Sequence, residues 1–196
     1  MAERVGIFID GSNLYHGLKN HLRRQDLNFA GFIAKLCGNR TLFRSYYYNV
    51  FQDPERWPDT HREQQDFLDV LHKTPYLEVR LGSTKVAQGV PVERGIDIML
   101  ATDLLIFAMQ DFYDTAILVS GDSDFSYAVQ AIKNMGKHVE VAYFEMAISR
   151  DLLDIADNNH QLNHNFFKGL WANERRYAGR KRSFHRIREN VEQNSI

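Results

Sequence analysis

The chain has 196 residues, 44% of them hydrophobic and 25% charged, with four prolines and a formal net charge of −1. These values describe one domain with a well-buried core and exclude a disordered, fibrous or collagen-like protein. The single cysteine, Cys37, excludes an internal disulfide and a cysteine-rich zinc site, and suits a reducing cytoplasm.

The charge is unevenly spread. After residue 172 there are seven basic residues, among them Arg175, Arg176, Arg180, Lys181 and Arg182, against three acidic ones. A basic C-terminal tail or helix over residues 169–196 is therefore expected behind an acidic domain over residues 1–168, and it suits phosphate contacts. The longest greasy stretch, residues 98–109, is broken by Asp103 and falls short of the ~20 residues needed to span a bilayer. With no leader-like N-terminus, a soluble cytoplasmic protein without membrane association is expected.

In chain order, residues 4–10 read as a strand, with Val5, Ile7, Phe8 and Ile9 giving the apolar run of a strand covered on both faces. Helices are expected over residues 14–22 and 29–37, the second closed by Gly38. The aromatic stretch LFRSYYYNVF, residues 42–51, suits a strand whose tyrosines pack rather than stack on bases. A polar stretch over 52–59 leads to a helix over 60–72 with Phe67, Leu68 and Leu71 on one face. Residues 76–81 alternate as an edge strand would. Residues 83–94 read as a loop or irregular hairpin.

From residue 95 or 96 to 109 the apolar residues surround the axis, as in a buried helix. Residues 115–120, TAILVS, form a buried strand. Phe125, Ala128, Val129, Ile132 and Met135 follow helical spacing up to Gly136. A strand over 139–144, a helix over 148–156 and a short strand over 161–167 complete the chain. His160 and His164, four residues apart, lack a third ligand and read as surface or packing residues. Strands alternating with helices at these lengths define an α/β fold, a three-layer α/β/α sandwich around a mainly parallel sheet.

In such sheets ligands bind beyond the carboxyl ends of the strands, at a topological switch point. Two strands end in carboxylates, Asp10 in IDGSN and Asp122 with Asp124 in VSGDSDF, and a third source is ERGIDIMLATDLL, where Asp97 opens a helix. Asp103, six residues on, lies roughly 120° away around that helix. Each aspartate alone has an ordinary explanation as a cap, a first-turn acid or an ion-pair partner. Together they repel, since two unit charges ~4 Å apart interact by ~4 kcal/mol at an effective dielectric of 20. Such a cluster either takes up protons or holds cations. An oxygen-rich, thiol-free site suits Mg²⁺ or Mn²⁺ and the hydrolysis of phosphodiesters. Asn13 and Ser12 are placed to hydrogen-bond ligand carboxylates, water or phosphate, and Gly11 to let the backbone come close.

The segments VGIFIDGSNLY, ERGIDIMLATDLL and AILVSGDSDFSYAVQAIKNMGKHVEVAYF resemble the NYN domain of the PIN-like nuclease superfamily, in particular its LabA-like branch. The resemblance covers residues 4–168. It implies a PIN-like fold and a metal-dependent ribonuclease site that uses Mg²⁺ or Mn²⁺; single-stranded or structured RNA is the expected partner, and a homodimer one expected form. It matches Asp10, Asp97, Asp122 and Asp124 to the catalytic, metal-binding acids and Asn13 to a catalytic asparagine, with Asp103 and Ser12 as supporting or metal-binding positions. Lys85 and Arg94 near the middle motif join the basic tail as RNA-binding residues. The alternative is a non-catalytic RNA- or protein-binding regulator that retains the fold. A haloacid-dehalogenase-like phosphatase is excluded because Phe8 stands where its nucleophile belongs, and a dinucleotide-binding enzyme because DGSNLYHG is not a G-x-G-x-x-G turn.

Overall fold

A computed structural model describes residues 2–51, 58–87 and 90–173, with the backbone alone at residue 60 and over residues 83–87 and 90–94. Seven described strands form one sheet: β1 (Arg4–Asp10), β2 (Thr41–Phe51), β3 (Leu77–Ala87), β4 (Val90–Arg94), β5 (Thr115–Val119), β6 (His138–Tyr143) and β7 (Asn158–Gln161). Their order is β4-β3-β2-β1-β5-β6-β7, all parallel except β4. The chain winds outward from β1 through β2 to β3, then returns to place β5 on the other flank of β1. The switch point therefore lies between β1 and β5, where Asp10 and the VSGDSDF turn emerge.

Both faces of the sheet are covered, which is why its central strands are nearly continuous apolar runs. Val5, Ile7 and Ile9 pack with Leu14, Phe32, Leu36 and Leu71 under α1 (Gly11–Gly17), α2 (Phe29–Cys37) and α3 (Pro58–His72). Phe8, Leu118 and Val141 pack with Leu100, Leu104, Ile132 and Leu152 under α4 (Ile96–Met109), α5 (Ser126–Asn134) and α6 (Arg150–Ile155). The tyrosine run divides between the layers: Tyr47 joins the first core, Tyr46 and Tyr48 the second, and all three are buried. These rings are core residues, as the sequence suggests. Cys37 is buried too, its thiol bonded to the Arg40 carbonyl at 3.3 Å.

Several boundaries differ from those read in the sequence. The first helix begins at Gly11 rather than near residue 14, because the Asp10 side chain caps it by accepting from the Asn13 N–H. It continues as a π-helical segment, Leu18–Leu22. The stretch 76–81 is not an edge: β3 runs on to Ala87 and pairs with β4 in an antiparallel hairpin, so residues 83–94 are mostly strand. Of the two readings of this stretch, loop or irregular hairpin, the hairpin is the one formed. The last strand is the polar Asn158–Gln161 rather than 161–167, since pairing with β6 decides it; Phe167 and Leu170 instead pack into the first core.

His160 donates its Nε2–H to Glu140 at 2.7 Å, and Glu140 also takes a bidentate bond from Arg40 at 2.7 and 3.0 Å. This is a packing role for His160. The packed chain extends through residue 171, where Leu27 and Trp171 bridge. Arg175, Arg176, Arg180, Lys181 and Arg182 lie outside the described residues, as do the side chains of Lys85 and Arg94. Among the described residues, no helix is long and apolar enough to cross a membrane.

Candidate acidic site at the switch point

Three different elements deliver carboxylates to one cavity. Asp10 ends β1, Asp122 follows β5, and Asp97 lies in the first turn of α4. The hairpin explains how α4 comes to start there. Ser83 of β3 pairs both with Phe51, the last residue of β2, and with Arg94, so β4 returns the chain to the carboxyl edge of the sheet. Gly95, at φ 83°, then turns it into α4 with a conformation that a side chain disfavours. The resulting cavity, about 540 Å³, is lined by Asp10, Ser12, Asn13, Asp97 and Asp122, together with His16, Asn20, His21, Asn49 and Met146.

Asp10 is 6% exposed and held at both oxygens. Oδ1 accepts from the Asn13 N–H at 3.0 Å and Oδ2 from the Ser120 hydroxyl at 2.9 Å. Ser120, wholly buried, also accepts from the Asp122 N–H at 3.2 Å, so one hydroxyl ties the two strand ends together. Asp122 caps the next turn through Oδ1, which accepts from the Asp124 N–H at 3.0 Å. Asp124 is exposed and does not line the cavity, though its charge reaches Asp97.

Burial is the largest influence on Asp10 and raises its pKa; the bonds from Asn13 and Ser120 oppose it, the charges of Asp97 and Asp122 reinforce it, and the result is a pKa above the ordinary carboxylate range. Asp97 is likewise raised, first by desolvation and then by Asp122 and Asp124. The described lining contains no lysine or arginine to relieve this repulsion. The three carboxylates offer only oxygen donors, which fits a hard divalent cation. Among the described residues no three His, Cys, Asp or Glu side chains converge to chelate an ion directly. Mg²⁺ and Mn²⁺ are commonly held by one or two carboxylates with water and phosphate completing the shell.

Asp103 does not line the cavity. It is buried beneath the sheet, where it accepts from the Tyr48 hydroxyl at 2.8 Å and pairs with Arg80, whose guanidinium lies over Tyr46 and Phe107. The structure thus places this carboxylate in an ion pair away from the cavity. Gly11 does let the backbone come close. The close approach it permits is to β2, since a Cβ there would lie 2.4 Å from the Tyr47 ring and 2.6 Å from the Tyr48 carbonyl oxygen.

Ser120, His16, Asn20, His21 and Asn49 are site residues that the sequence reading misses. The spacing of Asn13, His16 and Asn20 carries a weak helical-face signal; Ser120, closing an apolar strand, carries none. Ser120→Ala is expected to leave Asp10 Oδ2 and the Asp122 N–H without their partner and to lower stability by ~1–3 kcal/mol. Denaturant titration checks this, and an unchanged midpoint would show that the bridge is dispensable.

An acidic cavity lies at the switch point of a mainly parallel α/β/α sandwich, the architecture that the sequence resemblance implies. The chain belongs to the NYN domain family, whose model matches residues 4–163. It is 27% identical over 173 residues to the low amplitude and bright protein LabA of Synechococcus elongatus, across 82% of this chain and 84% of that protein. Its fold is similar to the crystal structure of VPA0982, a protein of unknown function from Vibrio parahaemolyticus, with a TM-score of 0.71 and 24% identity, covering 84% of this chain and 96% of the other.

Proposed function

We propose that the protein is a cytoplasmic ribonuclease that hydrolyses RNA phosphodiester bonds with Mg²⁺ or Mn²⁺ held among Asp10, Asp97 and Asp122. One observation carries this reading: three carboxylates from three elements face one cavity that has no lysine or arginine on its described lining. An RNA phosphate that faces these carboxylates needs a cation between it and them. When bound, the ion supplies Lewis-acid polarisation of the phosphodiester and acidifies the attacking water.

The protein's own contribution is orientation. Ser120 and the Asn13 N–H fix the Asp10 carboxylate, so it presents a set direction to the cavity. Asn13 and Ser12 offer side-chain hydrogen bonds to phosphate at the start of α1. Asp97 and Asp122 supply negative charge from the flanking elements, and Asp124 adds to it from outside the lining. Membership of the NYN domain family supports the same reading.

Purified wild type is expected to cut an unstructured RNA in Mg²⁺ or Mn²⁺ and to stop in EDTA, with Asp122→Asn inactive. Binding without cleavage in either ion would establish instead a regulator that only holds RNA. Equal trace activity in wild type and Asp122→Asn would mark the cleavage as contamination.

The basic run beginning at Arg175, with Lys85 and Arg94, is proposed to contact the RNA backbone. Removing residues 174–196 is expected to weaken RNA binding and flatten its salt dependence while leaving cleavage intact, because the counter-charge is lost and the carboxylates remain. A salt titration of binding checks this; an unchanged slope would show a tail that contacts only solvent.

A further inference from the structure

One part of the cavity lining has no role in holding the carboxylates. After α1 ends at Gly17, the chain continues in the π-helical segment Leu18–Leu22. This register keeps Leu14, Leu18 and Leu22 in the core while His16, Asn20 and His21 line the cavity. Short π-helical stretches within helices are rare and are found frequently at functional sites.

The segment is also rigidly seated. The His21 ring stacks on Phe144 at 5.7 Å and 21°, Phe144 stacks on Phe167 at 6.1 Å, and Phe167 on Trp171 at 5.3 Å. Gly17 rests on the same Phe144 ring, where a Cβ would come within 2.1 Å. The side chains of His16, Asn20 and His21 have no hydrogen-bond or ion-pair partner among the described residues. With three carboxylates and no lysine or arginine on the described lining, the two imidazoles are its only groups that can carry positive charge.

We propose that His16, Asn20 and His21 form a subsite for the sugar-phosphate backbone of single-stranded RNA beside the scissile phosphodiester. The proposal rests on the ribonuclease reading above. An imidazole donates an N–H in either charge state, and the Asn20 amide both donates to a phosphate oxygen and accepts from a ribose 2′-hydroxyl. The carboxylates then serve the reacting phosphate, and this segment sets where the strand lies.

The test uses the full chain and a short fluorescein-labelled unstructured RNA, with binding followed by anisotropy and cleavage followed in Mn²⁺. His21→Phe keeps a ring on Phe144 and removes the N–H donors, and His16→Ala alters an exposed position. The double variant H16A/H21F is expected to lose ~10-fold in affinity, the worth of one or two hydrogen bonds, with KM raised and kcat within ~2-fold. H16Q/H21N, which keeps donors, is expected to recover most of that loss. H16A alone repeats the test at lower amplitude with no change to the aromatic column.

Wild type that binds RNA while H16A/H21F binds within ~2-fold of it would overturn the subsite and leave the ribonuclease reading standing. Wild type that neither binds nor cuts RNA would overturn both.

Discussion

Asp10→Asn is expected to reduce metal-dependent RNA cleavage by at least ~100-fold and, in the absence of metal, to make the fold more stable. Asp10 is 6% exposed, faces Asp97 and Asp122 across a lining without basic residues, and has a raised pKa. A raised folded-state pKa means that the neutral form is favoured in the fold. The associated stability is present in acid and is lost as pH rises through the folded pKa. At neutral pH the charged side chain therefore works against folding, and the neutral isostere removes that penalty. A gain of ~2–4 °C in Tm is expected, the shift that ~1 kcal/mol gives in a chain of this size.

The gap between the two proteins narrows in acid, where wild-type Asp10 is itself neutral. Adding Mn²⁺ reverses the order, since a cation that binds only the folded wild type stabilises it by mass action. Thermal melts at neutral and acid pH, with and without Mn²⁺, read all three effects. An Asp10→Asn protein that is less stable than wild type without metal would show that Asp10 is a structural cap and nothing more.

Gly121→Ala is expected to lower stability by ~3 kcal/mol and to abolish activity with it. A Cβ on Gly121 would lie 1.9 Å from the Ala147 carbonyl oxygen and 3.0 Å from the Ile148 Cα, backbone atoms that no side-chain rotation can move aside. The Gly121 carbonyl also accepts from the Ser149 N–H at 2.9 Å, so the two loops are already clamped at this point. Overpacking of this kind typically costs ~1–3 kcal/mol, occasionally more, and a backbone contact this close falls at the upper end. Relief requires the Ser120–Asp122 turn to shift, and that turn holds the hydroxyl bridge to Asp10. Melting ~6–12 °C below wild type is the corresponding shift. A variant that melts with wild type would mean that the two loops separate freely.

The architecture and the acids were legible in the sequence for the same reason. A buried parallel strand is a continuous apolar run, so a carboxylate that ends one, as Asp10 does, stands out. In a parallel sheet the ends of two such runs fall on one edge, which brings Asp122 beside Asp10. Asp97 was legible as the first-turn acid of an otherwise apolar helix. Asp103 stands six residues along the same helix and belongs to Tyr48 and Arg80, a pairing across the sheet that helix periodicity does not reveal.

Other features depend on tertiary pairing. The β3–β4 hairpin is composed like a loop and is held by backbone bonds that composition does not encode. The position of His21 depends on a π-helical step within the helix, and a period of 3.6 residues has no place for it. Ser120 ends an apolar strand as an unremarkable small residue until the fold sets its hydroxyl between two carboxylate-bearing strand ends.

The most direct measurement is the anomalous scattering of a crystal soaked in Mn²⁺. The expected result is a peak in the switch-point cavity with a carboxylate oxygen of Asp10, Asp97 or Asp122 at ~2.0–2.2 Å, the range of a Mg²⁺-like ion, and its loss in Asp10→Asn. Ordered Asp10, Asp97 and Asp122 side chains with no peak among them at millimolar Mn²⁺ would contradict the account.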